Sequence, residues 1–168
     1  MNNLRTLYIG MCVLVPVWAS ACQATGHSLP VAESIDLSRA QAQINIDGRD
    51  YRLQADMWQN RIPRVEDGVL QRPMVVLIRV SAVDENPIPD DIHADSIWLI
   101  QGDNLWQGAF SDEVRLKDPA RRHQYERIAR KGPLWKPGSS VDVIVRVLDG
   151  KGRYYLLRVN HQQIKKAY

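Results

Sequence analysis

Cys22 is the residue with the clearest chemical potential in this chain. It is a lone thiol once the segment Met1–Ala21 is set aside, because the only other cysteine, Cys12, lies inside that segment. A single thiol cannot close an internal disulfide, and a stray one is unexpected in an oxidising compartment. Its best explanation is lipid modification. A second constellation is acidic: Asp84, Glu85, Asp90, Asp91 and Asp95 surround His93 in a stretch stiffened by Pro87 and Pro89. Calcium takes about six to eight oxygen ligands, so Asp84, Asp90, Asp91 and Asp95 are candidate metal ligands, although no EF-hand spacing is present. A solvated acidic turn is the simpler reading, and no metal or other cofactor is expected. A third constellation is basic. Arg115–Lys136 holds eight basic residues and two acids, with Arg115, Arg121, Arg122, Arg127, Arg130 and Lys131 as candidate contacts for an anionic partner. The alternative is a strand with solvated charges on both faces.

Catalytic patterns are missing from the linear sequence. His27, His93, His123 and His161 form no H-E-x-x-H pair, and no G-x-S-x-G elbow or phosphate-cradling glycine loop occurs. The sequence is therefore read as a binding protein, not an enzyme, with a hydrolase whose site assembles only in three dimensions as an alternative. Trp58, Trp98, Trp106 and Trp135 are expected at the core or its edge. Tryptophans exposed in a row would instead mark a carbohydrate-binding module.

The elements that position these residues begin with an export signal. Arg5 is the only charge before an apolar run from Leu7 to Ala19, which is shorter than the about 20 residues a membrane-spanning helix needs. The run Ala19-Ser20-Ala21-Cys22 resembles the lipobox of bacterial lipoprotein precursors. The resemblance covers this segment alone. It implies diacylglycerol modification of Cys22 and a membrane anchor, and Gln23 at the next position implies sorting to the outer membrane, facing the periplasm. Ala19 departs from the usual leucine, so ordinary cleavage after Ala21, giving a soluble periplasmic or secreted protein, is the alternative. Residues 22–40 read as a lipidated cysteine and flexible tether, and 41–168 as one domain. The formal net charge of +3 is too mild to suggest nucleic-acid binding. An envelope protein or an anionic polymer is the expected partner.

The domain reads as all-β. Asp47-Gly48 sits between alternating runs, a strong hairpin signal. Gly102-Asp103-Asn104 and Asp149–Gly152 separate two further strand pairs, 96–101 with 105–110 and 141–148 with 153–160. Met74–Val83 reads as a central strand, and Gln59–Pro73 as a loop. Val141, Val143, Val145 and Val147 share one face of a strand that Ile144 and Leu148 cover on the other. Ile46, Leu53, Val76, Ile78, Leu99, Val143, Val145 and Leu157 are core candidates. Around Pro119 a short helical turn precedes a strand at 124–130. An immunoglobulin-like antiparallel sandwich of about seven to eight strands follows from this spacing.

Overall fold

The computed structural model describes residues 35–59, 63–66, 68–115 and 119–166. The expected signal at 1–21, Cys22 and the expected tether up to residue 34 lie outside the described residues. The described chain is nearly all strand, with 3-10 turns at Leu37–Arg39 and Pro119–Arg121.

Strands β1 (Gln43–Ile46) and β2 (Arg49–Gln59) form the first hairpin. Asp47 and Gly48 both take positive φ, 49° and 84°, as a two-residue turn that matches strand twist requires. The segment after β2 is not simply a loop. It contains a separate small hairpin, β3 (Arg64–Glu66) with β4 (Val69–Gln71), turned at Gly68 with φ 76°. Its Asp67-Gly68 pair carries the same signal as Asp47-Gly48. The remaining strands are β5 (Met74–Ala82), β6 (His93–Gln101), β7 (Asn104–Ala109), β8 (Asp112–Arg115), β9 (Gln124–Gly132), β10 (Ser140–Leu148) and β11 (Tyr154–Lys165).

Hydrogen bonding runs β7-β6-β10-β11-β2-β5-β9-β8, with β1 on β2. Among the described strands the pairings are antiparallel except β11 with β2, where Ile164 and Lys165 meet Met57 and Trp58 in parallel; outside the strands, Gln41 also bridges Leu157 in parallel. A bulge makes the β11–β2 step possible. Register shifts between Val141 and Val143, and on β11 His161 takes φ 55° while its N–H donates to Asp142 at 2.9 Å. Bulges bend a strand and increase its twist. Beyond this one, β11 pairs with β10 through Gln162 and Gln163 and with β2 through its last two residues. The sheet also curls so that its end strands, β7 and β8, are joined only by Phe110-Ser111. Ser111 donates its N–H and its hydroxyl to the carbonyl of Ile128 on β9, at 2.8 and 2.9 Å.

The curl encloses one core. All eight core candidates, Ile46 and Leu53 through Leu157, are buried in it, beside Tyr51, Met57 and Tyr125. Ile144 packs on the outer face with Trp98 and Leu156. Ile35, Leu37 and Ala40 cover that outer cluster. Gln41 then hydrogen-bonds β11 through the Leu156 carbonyl and the Arg158 N–H. Residues 35–40 thus pack on the β domain. Three apolar side chains within six residues anchor the end of the expected tether as a strap over β6, β10 and β11.

Candidate functional site

Strand β9 separates the basic residues by face. Tyr125 and Ala129 point into the core, and Arg127 lies between them on the same side. Its guanidinium stacks 5.2 Å from the Phe110 ring and bonds Glu113, so this arginine is a structural cross-brace rather than an open contact. Alternation at period two puts it there, a pattern that charge spacing alone does not reveal. Glu126 faces outward and binds Arg79 at 2.6 Å, with Arg121 at 3.8 Å. Arg122 is exposed on the turn after Pro119–Arg121, and its carbonyl accepts from Ile88 at 3.0 Å. Arg115 lies in β8 opposite Tyr125.

Arg130 and Lys131 are brought together with aromatic surface. Both are exposed, and with Trp106, Gly108 and Phe110 they line a groove of about 500 Å3 between β7 and β9. A methyl group on Gly108 would lie 2.1 Å from the Trp106 ring. The glycine therefore lets the indole lie across its own strand as the groove wall. This pairing of an aromatic wall with two cationic side chains is the part of the basic segment with the geometry of a binding surface.

The acidic stretch is not one site. Asp84 is taken by Arg49 in two bonds of 2.9 Å, and Arg49 also donates to the carbonyls of Asn86 and Pro87. The Arg49 bonds, with Asn86, hold the Asp84 carboxyl well below the usual carboxylate range. Asp95 lies on β6 and pairs with Arg146 of β10. Burial pushes the Asp95 carboxyl up, but the Arg146 bonds and charge outweigh it and the group ends lowered. Asp90 and Asp91 lie on the connecting turn. Among the described residues, no three His, Cys, Asp or Glu side chains converge on a metal position. Asp84 and Asp95 are held by arginines of two different strands, β2 and β10, with Asp90 and Asp91 on the turn between.

An ionic clamp at one end of the curled sheet was not anticipated from the sequence. Asp149 has a nearly buried carboxylate that accepts the N–H groups of Lys151 and Arg153 at 3.0 and 2.9 Å. It also accepts the Arg153 Nε at 2.6 Å. Arg153 reaches on to Asp47 at 2.8 Å, and Lys151 binds the same carboxylate at 2.7 Å. The β1–β2 and β10–β11 turns are thereby tied together. Bonds from Lys151 and Arg153 lower the Asp47 pKa. Asp149 is also lowered, its burial outweighed by Arg153 and the turn N–H groups. The signal in the sequence was the occurrence of aspartate at the head of both glycine turns.

The described histidines are dispersed. His93 is on β6 and His161 on the bulge, whereas His123 shares a recess of about 240 Å3 with Ser81 and Glu85. Those three side chains make no hydrogen bond to one another. No family model matches the chain, and no characterised protein or solved structure matches it either.

Proposed function

We propose that this protein is a lipid-anchored component of a bacterial cell envelope whose β domain holds an anionic envelope polymer in the groove between β7 and β9. The anchor rests on Ala19-Ser20-Ala21-Cys22. The observation that carries the binding half is the meeting of Trp106 and Phe110 with Arg130 and Lys131 in one groove. Aromatic faces stack on sugar rings, and paired cations attract carboxylate, phosphate or sulfate groups. A charged glycan uses both features, so it unites the polymer-binding and carbohydrate-binding readings. Gln23 favours the outer membrane, with the domain facing the periplasm.

The finer fold reading attached to this proposal is the immunoglobulin-like sandwich. Antiparallel hairpins around one core support it. The unbroken bonding path through β11 weighs against it, because two separate sheets lack such a shared strand. A second functional reading, a hydrolase, is favoured by one observation, the recess holding Ser81, Glu85 and His123. Its groups would have to close into a relay on substrate binding.

Two measurements test the main reading. Cys22→Ser is expected to move the protein from the membrane to the soluble fraction. An unmodified N-terminus in the membrane-bound wild type contradicts the anchor. The full chain is expected to be retained on immobilised dextran sulfate but not on neutral dextran, with elution as salt screens the contact. Equal retention on both contradicts the charge component.

A further inference from the structure

The two ends of the curled sheet differ in chemistry. At one end lie the β1–β2 and β10–β11 turns and the segment after β5, where Asp47, Asp84, Glu85, Asp90 and Asp91 collect. Most cations there are spent within the fold, Arg49 on Asp84 and both Lys151 and Arg153 on Asp47, while Arg122 is left exposed. At the other end β2 passes to β5 through the β3–β4 hairpin, β9 passes to β10 through residues 133–139, and β11 finishes. Arg72, Lys136 and Lys166 are exposed there, and their side chains have no hydrogen-bond or ion-pair partner among the described residues.

The same end carries exposed aliphatic surface. Val65 is 69% exposed, Leu70 64%, Leu105 59% and Leu134 54%. Among the described residues, only Val83 and Tyr154 are comparable large apolar side chains in the open, and both lie toward the acidic end. Val65 and Leu70 are cross-strand partners, so they share one face of a hairpin that stands apart from the main sheet. The loop holding Leu134 and Lys136 is tied to its surroundings on two sides. The Trp135 carbonyl accepts from Gln59, at the end of β2 before the hairpin, and the Gly138 N–H donates to the Ile164 carbonyl of β11 at 2.8 Å. Exposed aliphatic side chains among unpaired cations suit a surface that meets anionic lipid. A soluble polyanion would engage the cations and leave the leucines in water.

We propose that this end is a membrane-contact face. Leu134 and the Val65–Leu70 pair enter the headgroup region of an anionic bilayer, and Arg72, Lys136 and Lys166 meet lipid phosphates. The inference rests on the anchor reading for the nearness of a bilayer. Residues 22–35 reach at most about 45 Å when extended, against roughly 40 Å for the 12 residues of β11. A connection of that length does not itself choose which end approaches the bilayer, so the chemistry of the two ends does. None of the residues assigned to the face lines the groove at Trp106.

The test uses the chain from residue 22 onward with Cys22→Ser, which keeps every described residue and carries no acyl chain. It is sedimented with vesicles of phosphatidylethanolamine and phosphatidylglycerol, and with vesicles of phosphatidylcholine alone. Binding to the anionic vesicles is expected to be about tenfold tighter or more, and to weaken as salt rises. Leu70→Ser with Leu134→Ser, and separately Lys136→Glu with Lys166→Glu, are each expected to weaken it about tenfold. These positions are exposed, so an unchanged urea midpoint is expected to confirm folding. Arg121→Glu with Arg122→Glu is the control away from the face, expected to stay within about twofold. No binding, equal binding to both vesicles, or a control loss as large as that of the face variants overturns the proposal. Loss in the lysine variant with none in the leucine variant marks a simple polyanion contact and also overturns it. With no acyl chain present, the result is independent of the anchor, whose own failure is read from the membrane fraction and N-terminus of the wild type.

Discussion

Leu157→Ala tests the curled sheet at its seam. Leu157 is 0% exposed and faces the common core. On one side it pairs with Val145 of β10, and on the other with Gln41 of the strap. Truncation removes three carbons from the interior, which at about 0.8 kcal/mol each is about 2.4 kcal/mol of lost transfer energy. The cavity adds to this, because backbone bonds on both flanks keep the strand from settling inward. The total expected is about 3–4 kcal/mol, within the range for buried leucines. Urea unfolding followed by tryptophan fluorescence reads it directly. At a slope of about 1.5 kcal/mol/M, the midpoint falls by roughly 2 M. Leu156→Ala is the control. Leu156 points the other way, under Ile35, Leu37 and Ala40, where a short strap can relax. Its expected cost is about 1–2 kcal/mol. If Leu156→Ala costs as much as Leu157→Ala, the inside and outside of the sheet have been assigned wrongly.

Acid is expected to destabilise the domain. Asp47, Asp84, Asp95, Asp142 and Asp149 all have folded pKa values lowered by their partners. Their contribution is therefore fully present above the unfolded carboxylate value of about 3.9 and lost as pH falls through the lower folded values. Thermal unfolding from pH 7 to 2 checks this, and a melting temperature that does not fall in that acid window contradicts it. Gly108→Ala is expected to push the Trp106 indole off its strand, since the new methyl group would meet the ring at 2.1 Å. A shift in the fluorescence maximum with little change in far-UV dichroism is the expected readout, and an unchanged emission spectrum argues against the close packing.

The hairpins were legible because their turns need particular residues. Asp47-Gly48 announced β1 and β2, and the alternating valines of β10 announced a strand with one face in the core. The curl of the sheet was not legible. It depends on the bulge at His161 and on β11 continuing through the polar His161-Gln162-Gln163, which reads locally as the end of a strand. The strap escaped notice because Ile35, Leu37 and Ala40 are too few to establish a period. For the site, clustering in sequence was a poor guide to clustering in space. The basic run contributes Arg127 to the inner side of β9 and Arg130 to the outer surface. The aromatic half of the groove comes from β7 and the turn after it. Only the curl of the sheet brings the two together.

The groove as the polyanion contact is tested most directly by charge reversal on and off it. Binding of dextran sulfate to the full chain is measured by titration at low salt for wild type, for Arg130→Glu with Lys131→Glu, and for Arg121→Glu with Arg122→Glu. The first pair lines the groove and the second does not. Loss of binding by about tenfold or more in the groove variant, with a much smaller loss in the other, is the result expected from two local charges acting at short range. Equal losses in both variants would contradict the groove and leave only a diffuse basic surface, and no loss in either would contradict the anionic partner itself.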